Sequence, residues 1–135
     1  MSEITYQLEP NLPAGEFIGV LKASGLDARR PADNPERIAR MLREADLVVT
    51  ARDDGKLVGI SRALTDFSYC CYLSDLAVDV AYQHKGIGKK LIAETHRHAG
   101  TKEVMLILLA APAAVDYYPK IGMQQHNSCW YFPRG

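Results

Sequence analysis

Apolar and polar positions alternate along this chain in segments whose period switches repeatedly between two and about 3.6 residues, the signature of strands interleaved with helices. Ile4, Tyr6 and Leu8 alternate as a short first strand, halted by Pro10 and Pro13. Phe17, Val20, Leu21 and Ser24 recur at helical spacing, and Gly25 is a suitable stop. Residues 25 to 34 read as a polar loop. Asn34 and Pro35 then open a second helix as cap and first residue, and its buried stripe is Ile38, Met41, Leu42 and Ala45. Leu47 to Ala51 and Leu57 to Leu64 read as two strands of a hairpin around the turn Arg52-Asp53-Asp54-Gly55. Cys70 to Val78 is a fourth strand. Gly86 to Ala99 is the main helix, with Ile87, Leu91, Ile92, Thr95 and Ala99 on one face and Gly100 as its stop. Val104 to Leu109 is nearly continuous in apolar residues, as expected of a strand buried on both faces. Ala113 to Tyr118 reads as a short helix and Cys129 to Phe132 as a last strand. The order βααβββαβαβ predicts a single α/β domain over residues 1–135, with a mixed sheet covered by helices on both faces.

Composition adds constraints. A chain of 135 residues, 47% hydrophobic and 24% charged, is long enough for one proper core and has the balance of a soluble globular protein. Sixteen basic residues offset sixteen acidic ones, so no global field draws the chain to nucleic acid or to a membrane. No apolar run reaches bilayer length, and the first residues lack a signal-peptide profile. The three cysteines, Cys70, Cys71 and Cys129, show neither metal-ligand spacing nor an even framework, so no metal site is expected. A reduced, cytoplasmic setting is the resulting expectation.

The chemistry concentrates after the fourth strand, in Gln83-His84-Lys85-Gly86-Ile87-Gly88-Lys89. Two glycines at a helix start let the backbone approach a ligand closely, and the N–H groups there favour a phosphate. A dinucleotide fingerprint is excluded because its third glycine position is Leu91. A Walker loop is excluded because Gln83 stands where its first glycine belongs. Lys85, Lys89 and Lys90 are either ionic contacts or solvated surface residues. His96 and His98, two apart on a helix, do not share a face and make a poor metal pair.

The pattern Gln-x-x-Gly-x-Gly, following a strand that ends Leu-Ala-Val-Asp, resembles the acetyl-CoA signature of the GNAT superfamily, the GCN5-related N-acetyltransferases. About 30 residues later, Tyr117-Tyr118-Pro119-Lys120-Ile121-Gly122-Met123 resembles the same family's aromatic-Tyr-x-Lys-x-Gly-Phe segment. Either motif alone is a moderate signal; the pair, on the right elements, is specific. The resemblance implies acetyl-CoA as cosubstrate, with its pantetheine arm on Leu76, Ala77 and Val78 and its pyrophosphate on Gln83, His84, Lys85, Gly86, Ile87, Gly88 and Lys89. It also implies that Tyr118 protonates the departing thiolate, against the alternative of a core tyrosine. A backbone N–H of the strand would polarise the thioester carbonyl.

A substrate amine must also lose a proton. Asp75 is the nearest acidic residue to the expected acetyl site and is the candidate general base, with Asp66 and Tyr69 behind it, unless water serves. Three positions depart from the family pattern: Ala111 where many relatives carry asparagine, Pro119 directly after the tyrosine, and Met123 in place of phenylalanine. The acceptor is expected between residues 25–34 and Thr65–Tyr72, where Arg29 and Arg30 either recognise an anionic group or are solvated. A small-molecule amine is the first expectation and a protein amine the second. A non-catalytic acyl-CoA-binding or regulatory domain is the alternative of different class. An enzyme acting on aminoacyl-tRNA would require a basic channel. Neither nucleic acid nor membrane is expected as a partner, and a homodimer is an expectation from the resemblance alone.

Overall fold

The computed structural model describes residues 3–135. Five strands form one sheet in the order β1-β2-β3-β4-β5: β1 is Ile4–Leu8, β2 Leu47–Asp53, β3 Lys56–Thr65, β4 Cys70–Val78 and β5 Met105–Leu108. The first four run antiparallel to their neighbours, and β5 lies parallel to β4. Parallel neighbours need a long crossover. Helix α3, Ile87–Ala99, supplies it. Helices α1, Ala14–Ser24, and α2, Pro35–Arg43, cover the opposite face, so the expected mixed α/β sheet clad on both sides is present.

Local chemistry accounts for the helix ends. The Asn34 side chain accepts from the Arg37 N–H at 3.1 Å, and Pro35 occupies the first turn, where a missing donor costs nothing. Gly25 ends α1 at φ +84°, a left-handed conformation that a side chain resists. On the α1/α2 side Phe17, Leu21, Ile38 and Ile60 are buried together. On the α3 side Val49, Val58, Ile87 and Leu91 form a second core, and Leu47, Ala63, Cys71, Ala99 and Val104 a third.

Register decides what faces where. Arg62 pairs with Asp75, but the next pair is Ala63 with Leu73, leaving Ser74 as an extra residue in β4. Such a bulge re-aims the side chains on either side of it. Asp75 thus joins Arg62 on the α1/α2 side, whereas Leu73 keeps company with Ala63.

Three expectations are corrected. Cys129 to Phe132 forms no strand; residues 123–135 carry no regular structure. Consequently, among the described residues, β5 has a partner on one side only and is not buried on both faces: Met105 and Ile107 are exposed. The apolar run that suggested a central strand therefore marks a surface. The helix expected over Ala113 to Tyr118 divides into a 3₁₀ turn at Pro112–Ala114 and a one-turn helix α4, Tyr117–Lys120. Pro119 sits inside that turn, where no intrahelical donor is required.

Candidate active site

The site follows from where β4 and β5 part. Their pairing runs from Cys70↔Met105 to Leu73↔Leu108, whereas β4 continues to Val78. Ser74 to Val78 therefore have β3 on one side and no strand on the other among the described residues. Leu76, Ala77 and Val78 lie on this free edge, where the backbone groups that do not bond β3 have no strand partner among the described residues.

Beyond Val78 the chain makes a 3₁₀ turn at Val80–Tyr82, capped by the Asp79 carboxylate on the Ala81 N–H at 2.9 Å. The Gln83 amide donates to the Val78 carbonyl at 3.1 Å, folding the loop back toward the strand end. His84 and Gly86 both take left-handed backbone angles, φ +64° and +81°, so two reversals within three residues bring the chain into α3. Gln83, His84, Lys85, Gly86 and Lys89 are exposed, and a Cβ built on Gly86 meets nothing within 4 Å. An open loop at the positive end of a 13-residue helix has the backbone and dipole chemistry that a pyrophosphate requires.

Gly88 has a different reason for being glycine. A Cβ there would lie 2.7 Å from the Tyr117 hydroxyl. The backbone N–H of Lys89 faces the same hydroxyl. Tyr117 thus pins α4 against the first turn of α3, and Tyr118 stands beside it, the two rings edge to face with centroids 5.3 Å apart. Burial, with Tyr117 as a second contribution, pushes the Tyr118 phenol above its ordinary value. At neutral pH Tyr118 therefore carries its proton, the state a proton donor needs. In the sequence Tyr117 is only the aromatic residue that precedes Tyr118 in the motif. The signal for its second role was the absence of a side chain at Gly88.

Asp75 does not fit the role of a free base. Its carboxylate is fully buried, with Arg30 Nε on one oxygen and Arg62 Nε on the other. Arg30 also donates to the Ser74 carbonyl at 2.7 Å, and Arg62 to the Ser74 hydroxyl at 3.0 Å. Two guanidinium groups occupy the lone pairs with which the carboxylate would accept a substrate proton. The group is a clamp that fastens the loop after α1 to the bulge of β4. Arg30 accordingly faces inward and is not available to an acceptor, and nothing in the spacing of Arg30, Arg62 and Asp75 announced their meeting. Asp66 is likewise engaged: one oxygen accepts from the N–H groups of Ser68, Tyr69 and Cys70, lowering its pKa to about 2. Tyr69 is exposed beside it.

Other expected details have definite places. Lys85 lies over the Tyr82 ring, 5.6 Å from its centroid. Lys90 pairs with Glu94 at 3.6 Å, and His96 Nε2 meets the Val104 carbonyl at 2.7 Å. Ala111 contributes its carbonyl to the following turn.

Residues 25–132 match the family model described as an acetyltransferase (GNAT) domain. The chain belongs to the GNAT family. Among curated relatives, GCN5-related N-acetyltransferase 2, chloroplastic, of Arabidopsis thaliana is 31% identical over 74 residues, which is 54% of this chain and 29% of the relative. The chain thus spans less than a third of that relative's length. Among solved structures, aminoglycoside N-acetyltransferase AAC(6')-Iy in complex with CoA superposes with a TM-score of 0.78 at 17% identity, over 99% of this chain and 96% of that one. An aminoglycoside acetyltransferase from an uncultured soil metagenomic sample, solved with sisomicin, gives 0.69 at 21% identity, over 99% and 97%. At these identities the two structures establish the shared GNAT fold. No helix among the described residues is long and apolar enough to cross a membrane.

Proposed function

We propose that this GNAT domain transfers the acetyl group of acetyl-CoA to a primary amine, a small molecule first among acceptors, by direct attack within a ternary complex. The observation that supports this most is the coincidence of three features: a free β4 edge, an open, exposed loop entering α3, and the phenol of Tyr118 packed on Tyr117, which itself rests on the first turn of α3. In this reading Leu76, Ala77 and Val78 pair with the pantetheine amides. The segment Gln83 to Lys89 receives the pyrophosphate through N–H groups and lysine charge. The amine nitrogen forms a bond to the thioester carbon, a β4 N–H stabilises the oxyanion, and the C–S bond then breaks. Tyr118 gives its proton to the departing sulfur. The amine's own proton leaves through water, since Asp75 is committed to two arginines. Aminoglycosides, the substrates named for two structural neighbours, are polyamines and support the small-molecule reading.

Release of free thiol from acetyl-CoA across a panel of amines tests the proposal. Tyr118→Phe is expected to lower kcat by about 100-fold with acetyl-CoA affinity unchanged. Tight binding without thiol release on any amine, together with no effect of Tyr118→Phe, would favour the non-catalytic acyl-CoA-binding alternative.

A further inference from the structure

The loop entering α3 is exposed from Gln83 to Gly86, yet the turn that leads into it is tied down. Val80–Tyr82 is a single 3₁₀ turn, fastened at both ends to the β2–β3 hairpin. At its start the Asp79 N–H donates to the Val58 carbonyl at 2.9 Å, and the Asp79 carboxylate lies 3.9 Å from Lys56 Nζ. At its end the Tyr82 hydroxyl donates to the Asp53 carboxylate at 2.5 Å. The Tyr82 ring packs at the margin of the Val49–Val58–Ile87–Leu91 core. Two ammonium groups meet this ring, Lys56 Nζ at 5.5 Å from its centroid and Lys85 Nζ at 5.6 Å. Asp53 and Lys56 belong to the hairpin, and Lys85 to the exposed loop.

We propose that Tyr82 is a positioning residue for the cofactor: it holds Lys85, and with it the reversed backbone at His84 and Gly86, in the shape that receives a diphosphate. This role rests on the acetyl-CoA reading of the loop and adds a residue that reading does not use. A lysine stem is flexible, and immobilising it on binding costs free energy unless the free protein has already confined it. The face of the ring attracts the ammonium and narrows the space it samples. The hydroxyl bond to Asp53 fixes the ring in turn, so a rigid hairpin supports the exposed loop. His84 takes φ +64° without being glycine, a conformation that persists where the surroundings enforce it.

A ligand that lacks the diphosphate separates this role from general support of the fold. Acetyl-CoA is titrated by calorimetry. Acetyl-pantetheine, which has neither diphosphate nor nucleotide, is titrated by the amide shifts of Leu76 to Val78, a readout that tolerates weak binding. Wild type is expected to bind acetyl-CoA at least about 10-fold more tightly than acetyl-pantetheine. Tyr82→Leu removes ring and hydroxyl and is expected to weaken acetyl-CoA about 10-fold while leaving acetyl-pantetheine unchanged. Tyr82→Phe keeps the ring, loses only the bond to Asp53, and is expected to weaken acetyl-CoA about threefold. Lys85→Met should cost about 10-fold alone but less than about threefold in the Tyr82→Leu background, because Tyr82 acts through Lys85. Unchanged acetyl-CoA affinity in Tyr82→Leu, an equal loss for both ligands, or additive costs with Lys85→Met would each overturn the role of Tyr82 while leaving the acetyl-CoA reading in place. A wild type that binds the two ligands equally would instead remove the diphosphate from the loop, and the role of Tyr82 with it.

Discussion

The two ends of β4 do different work with different materials. Its carboxyl end, from Leu76 into α3, is built of free backbone, reversed turns and glycines, and stays open to solvent. Its middle, at the Ser74 bulge, is fixed by side chains reaching across the fold, Arg30 from the loop after α1 and Arg62 from β3. The turn that leads into it is anchored by Asp46, just before β2, whose carboxylate accepts from the N–H of Thr65, at the end of β3, at 2.8 Å. In the proposed function the backbone cradle would receive the cofactor's pyrophosphate, the part common to every reaction. The clamp is made of side chains and fixes the loop after α1 against the bulge of β4.

Breaking the clamp has the largest expected effect. Asp75→Asn leaves Arg62 buried and Arg30 half-buried without their counter-charge, and is expected to cost about 3–5 kcal/mol in urea unfolding, with faster amide exchange over residues 25–34. If Asp75 were instead the base, Asp75→Asn would abolish kcat while stability stayed near wild type.

The cradle side is probed at Gly88, where the Tyr117 hydroxyl packs against the first turn of α3. Gly88→Ala drives a methyl group into the Tyr117 hydroxyl and is expected to cost about 1–2 kcal/mol. Tyr117→Phe removes that oxygen, so in its background the alanine should cost less than about 0.5 kcal/mol. Additive costs in the double-mutant cycle would separate α4 from α3 and weaken the case for Tyr118.

The smallest effect lies far from both ends. Glu9 is held by Arg52 through bonds of 2.7 and 2.9 Å, and by Thr50, which lowers its pKa to about 2 from an ordinary 4.5. A depressed carboxylate pKa contributes stability that is fully present above pH 4.5 and is lost as pH falls toward 2. Glu9→Gln should flatten that part of the stability profile by under about 1 kcal/mol, while leaving both ends of β4 unaltered.

The contrast also explains what the sequence reveals. Local signals were legible: Asn34 with Pro35, the turn at Asp54-Gly55, the Gly86 entry to α3 and the Tyr117–Tyr118 pair depend on neighbours within a few residues. The clamp was not, because Arg30, Arg62 and Asp75 meet only through tertiary folding and a one-residue bulge at Ser74 that no periodicity marks. Cys129 to Phe132 failed for the opposite reason. Its strand propensity is real, but a strand requires a partner, and within one copy the segment has none among the described residues.

The central claim is that the open loop between β4 and α3 holds the pyrophosphate of acetyl-CoA. Calorimetric titration of acetyl-CoA into wild type and Gly86→Glu tests it most directly. The glutamate places a side chain at φ +81° and a negative charge where phosphate would sit. Wild type is expected to bind, and the variant, folded by circular dichroism, to lose at least about 100-fold in affinity, roughly 3 kcal/mol. Equal affinity in the two proteins would contradict the account.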